Sequence, residues 1–302
     1  AMDRLQDKVA IVTGANSGIG LRTAQLFAEE GAILVLCARR KEKLDEVAEA
    51  LRAQGSQVLS IAADVSREED CVRVVEEAVK AFGRVDVLVN NAGMADKHRP
   101  ITRCDGDWWH TVIDVNQNSV YYMMKAALKY MELAGYGSIV NIASIGATRY
   151  NSGVAYTASK TAVIGMSKNV AIQFAGKGIR VNVVCPGPTP TALNTPEQLA
   201  TFDQEFAAQC GRHMDGTVPE VSVDDQAHAI LFFASDEAKA CTLADDSAFL
   251  PLLWNIEDDF EKKTAVIAGD WFRVMQENPA IPAGDAAFLL LEIDGAEYLA
   301  AL

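Results

Sequence analysis

The stretch Val12-Thr13-Gly14-Ala15-Asn16-Ser17-Gly18-Ile19-Gly20 decides the fold. It leaves an apolar, β-branched run at 9–12 and enters a stretch of helical character, so it reads as the turn from a first strand into a first helix. Glycines at such a turn let the backbone approach a pyrophosphate, which the positive N-terminal end of the helix attracts. A glycine-rich turn on its own is equally a tight turn with no ligand. Its place directly after the first strand favours the dinucleotide reading.

Outward from this turn, apolar runs recur at 33–37, 58–61, 87–89, 139–142 and 181–185, the composition of strands buried on both faces. Between them, Leu44, Val47, Ala48 and Leu51 follow amphipathic helical spacing, and Val72, Val75, Val79 and Phe82 keep to one helical face. Parallel neighbours need crossover connections, so the alternation predicts an α/β fold: a doubly wound parallel sheet of the Rossmann type, with ligands beyond the C-terminal ends of its strands. After Val184, Pro186, Pro188 and Pro190 mark a loop. Thr195-Pro196-Glu197-Gln198 then predicts a short helix, with Thr195 as N-cap and Gln198 completing a capping box, which would serve as a substrate lid. Residues 219–236 predict a further helix.

Half of the 302 residues are apolar, enough for a large core. No run approaches the roughly 18 apolar residues of a membrane helix, and the N-terminus lacks a basic region followed by an apolar stretch, so a soluble cytoplasmic protein is expected. The six cysteines are scattered without CxxC spacing, as reduced thiols would be. His98, His110, His213 and His228 are isolated, so neither a metal site nor histidine catalysis is expected. A net charge of −14 argues against nucleic acid or an anionic membrane as partner. From Cys241 onward, twelve acidic residues face only Lys262, Lys263 and Arg273. The expected organisation is a catalytic domain over 1–242 and an atypical acidic extension or insertion over 243–302.

Four further motifs accompany the glycine turn. Asp64-Val65 follows the third predicted strand, Asn90-Asn91-Ala92-Gly93 the fourth, Tyr156-Thr157-Ala158-Ser159-Lys160 opens a helix, and Asn182 with Pro186-Gly187 closes the sixth strand. With the Thr-Gly-x-x-x-Gly-Ile-Gly spacing, their order resembles the short-chain dehydrogenase/reductase family over about residues 5–240. The resemblance implies a cofactor site built from Gly14, Asn16, Ser17, Gly18, Ile19, Gly20, Arg39, Arg40, Asp64, Val65, Asn91, Ala92, Gly93, Tyr156, Lys160, Pro186, Gly187, Thr189 and Thr191. Within it, Asp64 would contact adenine and Lys160 the nicotinamide ribose. The implied catalytic residues are Tyr156 as acid/base, Ser144 on the substrate oxygen, Lys160, and Asn116 in a water relay.

The residues support this chemistry themselves. Tyr156 and Lys160 are four apart and share one helical face. A phenol of pKa about 10 is a poor proton shuttle at neutral pH, and lowering it by about three units takes about 4 kcal/mol. A neighbouring ammonium supplies part of that, and an oxidised nicotinamide acts in the same direction. A lone Tyr-x-x-x-Lys would be an interfacial tyrosine and a surface lysine; the accompanying cofactor motifs favour catalysis. Asn141-Ile142-Ala143-Ser144 keeps only the second of two adjacent serines found in many family members, twelve rather than thirteen positions before Tyr156. A loop shorter by one residue keeps Ser144 catalytic; the other register puts Ala143 there and leaves a weak enzyme. Both registers stand at this point.

Ala38 occupies the place where NAD-preferring relatives carry Asp, and Arg39 and Arg40 follow it. A guanidinium pairs bidentately with a 2′-phosphate, so NADP(H) is expected ahead of NAD(H), against the alternative that both arginines are solvated charges at a helix start. Met94, Ile145, Tyr150, Pro186 and the stretch 188–223 occupy pocket-lining positions by the resemblance, whereas Trp108 and Trp109 read as core or interface aromatics. Beyond Cys241-Thr242, Leu243 replaces the glycine that leads into the family's last strand, and a similar strand pattern returns at Phe288-Leu289-Leu290-Leu291-Glu292-Ile293-Asp294-Gly295. Either an insertion separates that strand, near 288–294, from the sheet edge it joins, or an appended segment lies outside the sheet. Since that strand builds one interface in relatives, a dimer through the helices carrying Asn116 and Tyr156 is expected ahead of a tetramer. The expected activity is hydride transfer between NADP(H) and a small-molecule secondary alcohol or ketone. The alternatives are a non-catalytic NADP-binding regulatory or interaction protein, and a dehydratase or epimerase on the same scaffold.

Overall fold

All six predicted strands form close to their expected bounds. β1 (Val9–Thr13), β2 (Ile33–Ala38), β3 (Val58–Ala62), β4 (Val87–Asn90), β5 (Gly137–Ile142) and β6 (Ile179–Pro186) run parallel in the order β3-β2-β1-β4-β5-β6. The structure, a computed structural model, describes residues 3–213, 220–239 and 241–242, together with four later strands. Chain order reverses between β1 and β4, so the loops leaving these two strands diverge and open a crevice at their C-terminal ends. The glycine turn and the Asn90–Gly93 motif are those two loops.

The helices are α1 (Gly18–Glu29), α2 (Lys41–Ala53), α3 (Glu68–Phe82), α4 (Gly106–Ile113), α5 (Ser119–Ala134), α6 (Gly146–Arg149), α7 (Val154–Gln173), α8 (Pro196–Leu199), α9 (Gln204–Gly211) and α10 (Val223–Ala234). Strand side chains alternate between two cores. Ala10, Val12, Leu34, Leu36, Val87 and Val89 pack with α1, α2 and α10, while Val9, Ile11, Val35, Cys37 and Leu88 pack with α3, α5 and α7. This two-sided burial explains why the strands read as continuous apolar runs. α10 begins after Ser222, whose hydroxyl and the Asp225 carboxylate close a capping box; the start expected at 219 lies outside the described residues. Phe27, in α1, is fully buried. Phe27→Ala is expected to destabilise the protein by about 3–5 kcal/mol, read as a lower urea midpoint at unchanged m-value.

Later strands continue the sheet edge. The place beside β6 belongs to β8 (Thr264–Ala268), which runs antiparallel with Val183 opposite Ala268, and β7 (Pro251–Asn255) pairs antiparallel with β8. β9 (Phe288–Ile293), which covers the 288–294 pattern, pairs with β10 (Ala296–Ala301) in a separate two-stranded sheet. The physical reason lies in the sequence between them. Asp-Gly, here Asp294-Gly295, favours a two-residue hairpin connection, so the strand finds its partner locally. Among the described residues no helix is long and apolar enough to cross a membrane.

Candidate active site

β1 delivers Gly14 at the crevice with φ +68°, a left-handed conformation that favours glycine, and the Gly14 N–H donates to Cys37 O at 2.8 Å. Ser17 follows in extended conformation at the N-cap of α1 and makes no side-chain cap bond. The first N–H groups of α1 therefore face the crevice without an intrahelical acceptor. A Cβ on Gly20 would overlap Asn91 Nδ2 and the Gly14 carbonyl, so only glycine lets this helix turn sit on the loop. Thr13 Oγ1 accepts the N–H groups of Asn91 and Ala92, each at 3.0 Å, and Asn91 Nδ2 donates to Thr13 O at 2.9 Å. The loops of β1 and β4 are thus stitched into one floor.

From the far side, the loop after β6 closes on this floor. A Cβ on Gly18 would come within 3.2 Å of Thr191 Cγ2. Thr191 N donates to Asn194 Oδ1 at 2.8 Å, Asn194 Nδ2 to Thr189 O at 3.0 Å, and Thr189 Oγ1 to Gly187 O at 3.0 Å, so the loop holds its own shape. Arg39 and Arg40 stand exposed at the end of β2, with no ion-pair partner among the described residues. Asp64 follows β3, where its Oδ1 accepts both the N–H and the O–H of Ser66, while Val65 is buried in the core. A glycine-lined crevice with free helix N–H groups suits a dinucleotide pyrophosphate.

Asn116, fully buried, sits in a π-helical turn, Asp114–Asn118, between α4 and α5. The widened turn aims its amide at the β4 loop: Oδ1 accepts Met94 N–H at 2.8 Å and Nδ2 donates to Met94 O at 2.9 Å. α7 carries Tyr156 and Lys160 on one face. Lys160 is 4% exposed, donates from Nζ to Ile142 O at 2.8 Å, and lies 5.8 Å from the centroid of the Tyr156 ring. A Cβ on Gly93 would stand 3.3 Å from Asn116 Oδ1 and 3.4 Å from Lys160 Nζ, so the three meet closely. Burial lowers the Lys160 ammonium from 10.5 to about 8.

The Tyr156 phenol is raised by burial, while a hydrogen bond with Ser144 pulls it down. Ser144 Oγ also accepts Gly146 N–H at 3.1 Å, and Ile145 N–H donates to Pro186 O at 3.1 Å, which ties the serine loop to the end of β6. Ala143, the position of the other register, packs into the core, whereas Ser144 is half-buried and lowers the pKa of the phenol. Met94 and Ile145 are half-buried beside this cluster, and Tyr150 is exposed with φ +57°. Thr195 caps α8 as expected, accepting Gln198 N–H.

Sequence reasoning missed the role of the loop after Gly93. Asp96 is buried and accepts the Tyr156 N–H, and the half-buried Trp108 holds it from the other side: its indole N–H donates to Asp96 O at 3.0 Å, and Lys97 and Arg99 lie over its ring. No local signal in the sequence pairs Asp96 with a helix sixty residues away.

The family model for short chain dehydrogenase matches residues 8–201. A 3beta-hydroxysteroid dehydrogenase 2 of Eggerthella lenta is 38% identical over 240 residues, covering 78% of this chain and 90% of that protein. A cis-4-hydroxycyclohexanecarboxylate dehydrogenase of Sinomonas cyclohexanicum is 38% identical over 235 residues, covering 77% and 91%. Among solved structures, levodione reductase superposes with a TM-score of 0.73 at 29% identity, covering 79% of this chain and 95% of that one. The glycine crevice, the Tyr156–Lys160 helix and these matches agree: the chain belongs to the short-chain dehydrogenase/reductase family, hydride-transferring oxidoreductases of alcohols and ketones that use a nicotinamide cofactor.

Proposed function

We propose that this chain moves hydride between NADP(H) and a secondary alcohol or ketone borne on an alicyclic ring, with Tyr156 as the acid/base. The observation that carries the reading is the placement of the buried Lys160 ammonium, whose Nζ lies 5.8 Å from the centroid of the Tyr156 ring on the same helix face, with Ser144 lowering the pKa of the phenol. The ring substrate is supported by relatives whose names specify hydroxysteroids and a hydroxycyclohexanecarboxylate.

When bound, the cofactor supplies or accepts the hydride. Gly14 and Asn16 to Gly20 would hold the pyrophosphate, Asp64 and Val65 would flank the adenine, and Asn91 to Gly93 with Pro186, Gly187, Thr189 and Thr191 would border the rest of the cofactor. Lys160 holds the nicotinamide ribose. In the reductive direction, Ser144 donates to the carbonyl oxygen and fixes it beside Tyr156, whose O–H gives its proton to that oxygen as the carbon is reduced. In the oxidative direction the same phenolate oxygen takes the alcohol proton. Asn116, locked on Met94, holds the π-helical turn that would carry a water relay to Lys160 and Tyr156.

The exposed arginines at the end of β2 favour a 2′-phosphate. Arg39→Ala is expected to raise KM for NADPH by about 10-fold to 100-fold, from the loss of charge-assisted hydrogen bonds, and to leave KM for NADH within about twofold. Steady-state rates with both cofactors on a panel of cyclic alcohols and ketones test this. Equal KM for NADPH in wild type and variant would refute the cofactor assignment; no turnover of any panel member despite tight NADPH binding would favour a regulatory NADP-binding protein. On the surface, Tyr121 and Leu133 of α5 and Ile172 of α7 are exposed. This supports homo-oligomerisation through those two helices. Residues 1–242 then form the catalytic unit and 243–302 an acidic addition to it.

A further inference from the structure

We infer that Asp96 is a positioning residue for Tyr156: its carboxylate, carried on the loop after β4, caps the start of α7 and fixes where the phenol stands. The inference rests on the reading of Tyr156 as acid/base.

Asp96 is 2% exposed, and its Oδ2 accepts the Tyr156 N–H at 2.8 Å. Oδ1 accepts the His98 N–H at 3.0 Å. The N-cap of α7 is Gly153, which has no side chain to satisfy the first N–H groups of the helix. A Cβ on Gly153 would overlap the whole Asp96 carboxyl group. The bare glycine and the carboxylate are therefore complementary, and Asp96 occupies the space that a local capping side chain would fill. A buried carboxylate without a cationic partner is costly unless it is hydrogen-bonded, and the positive end of a 20-residue helix favours it further.

Around Asp96 the loop is pinned on three sides. Val154 N–H donates to Arg99 O at 3.0 Å, Asp203 N–H at the start of α9 donates to Lys97 O at 2.8 Å, and the Trp108 indole holds Asp96 O. The His98 ring stacks on Phe202 with centroids 4.6 Å apart. Lys97 and His98 adopt φ of 59° and 49°, left-handed conformations uncommon for non-glycine residues, which persist where surrounding contacts over-determine them. The joint thus links the catalytic helix to the lid segment of α8 and α9. Groups facing the phenol are Ser144, Lys160, Cys185 and the Asp96 charge; those near Asp96 are His98, Cys104, Cys210 and the Tyr156 N–H. The Asp96 charge raises the phenol pKa, as like-sign repulsion requires.

The test compares wild type, Asp96→Asn, Asp96→Ala and Tyr156→Phe as full-length protein with cofactor and a cyclic alcohol, following kcat against pH, cofactor KM and circular dichroism. Asp96→Ala is expected to lose about tenfold or more in kcat with cofactor KM held within about twofold, since the cofactor floor does not use Asp96. Asp96→Asn keeps an acceptor and loses the charge, so it should recover part of kcat and move the limb set by the phenol to lower pH. Wild-type kcat and an unmoved limb in both Asp96 variants, beside an inactive Tyr156→Phe, overturn the role of Asp96 alone. A loss of kcat that follows loss of folded protein, with no recovery and no shift in Asp96→Asn, also overturns it. Turnover retained by Tyr156→Phe, or none in wild type, overturns the acid/base reading itself.

Discussion

Tyr156→Phe is expected to lower turnover by about 10²-fold to 10⁴-fold, the range that a positioned general acid/base contributes, while the folded protein and its cofactor affinity persist. The substitution removes one oxygen. The ring keeps its place because its helix is held by a backbone contact, Tyr156 N–H to Asp96 Oδ2, which the variant retains. Ser144 loses a hydrogen-bond partner but still accepts Gly146 N–H, so the stability change should stay near 1 kcal/mol. Burial keeps the phenol protonated at neutral pH, the form that donates to a carbonyl oxygen. Steady-state rates and a cofactor titration by fluorescence measure the two quantities separately. Turnover within tenfold of wild type would remove Tyr156 from the chemistry.

The strands were legible because each is buried on both faces and so is apolar throughout, and the crevice because glycine is sterically obligatory at Gly20. Local capping was legible at Thr195, whose partner lies three residues away, and the same signal at Ser222 and Asp225 was available but went unread. What could not be read was whatever depends on distant parts of the chain. Asp96 caps a helix whose own N-cap is a glycine, so neither end carries a local motif. The π-helical turn around Asn116 leaves no periodic trace over five residues. The serine register was ambiguous by spacing, because spacing alone does not tell that Ala143 packs into the core. At the sheet edge, the pattern near 288–293 left two placements open, because an apolar run marks a strand but does not name its partner.

Lys160→Met should make the protein more stable and less active at once. Activity is expected to fall about 100-fold or more, since the ammonium that favours the phenolate is gone. The stability change follows from burial. In the unfolded chain the lysine titrates near 10.5, and in the folded protein near 8. Below pH 8 both states carry the charge, and the folded state bears the whole cost of holding it away from water, about 3 kcal/mol as an order of magnitude. Between pH 8 and 10.5 the unfolded state binds more protons, so wild-type stability rises with pH, and above 10.5 the cost is gone. Methionine fills similar space without charge. It leaves Ile142 O without its donor, a loss of about 1 kcal/mol that does not vary with pH. The variant should therefore be more stable than wild type by about 1–2 kcal/mol at pH 7 and slightly less stable above pH 10.5. Urea unfolding of both proteins without cofactor, at pH 7 and across the alkaline range, reads the crossing. A variant less stable than wild type at every pH would mean that Lys160 is neutralised by a counter-charge when folded, and the argument that its charge is held against burial for the sake of the reaction would be lost.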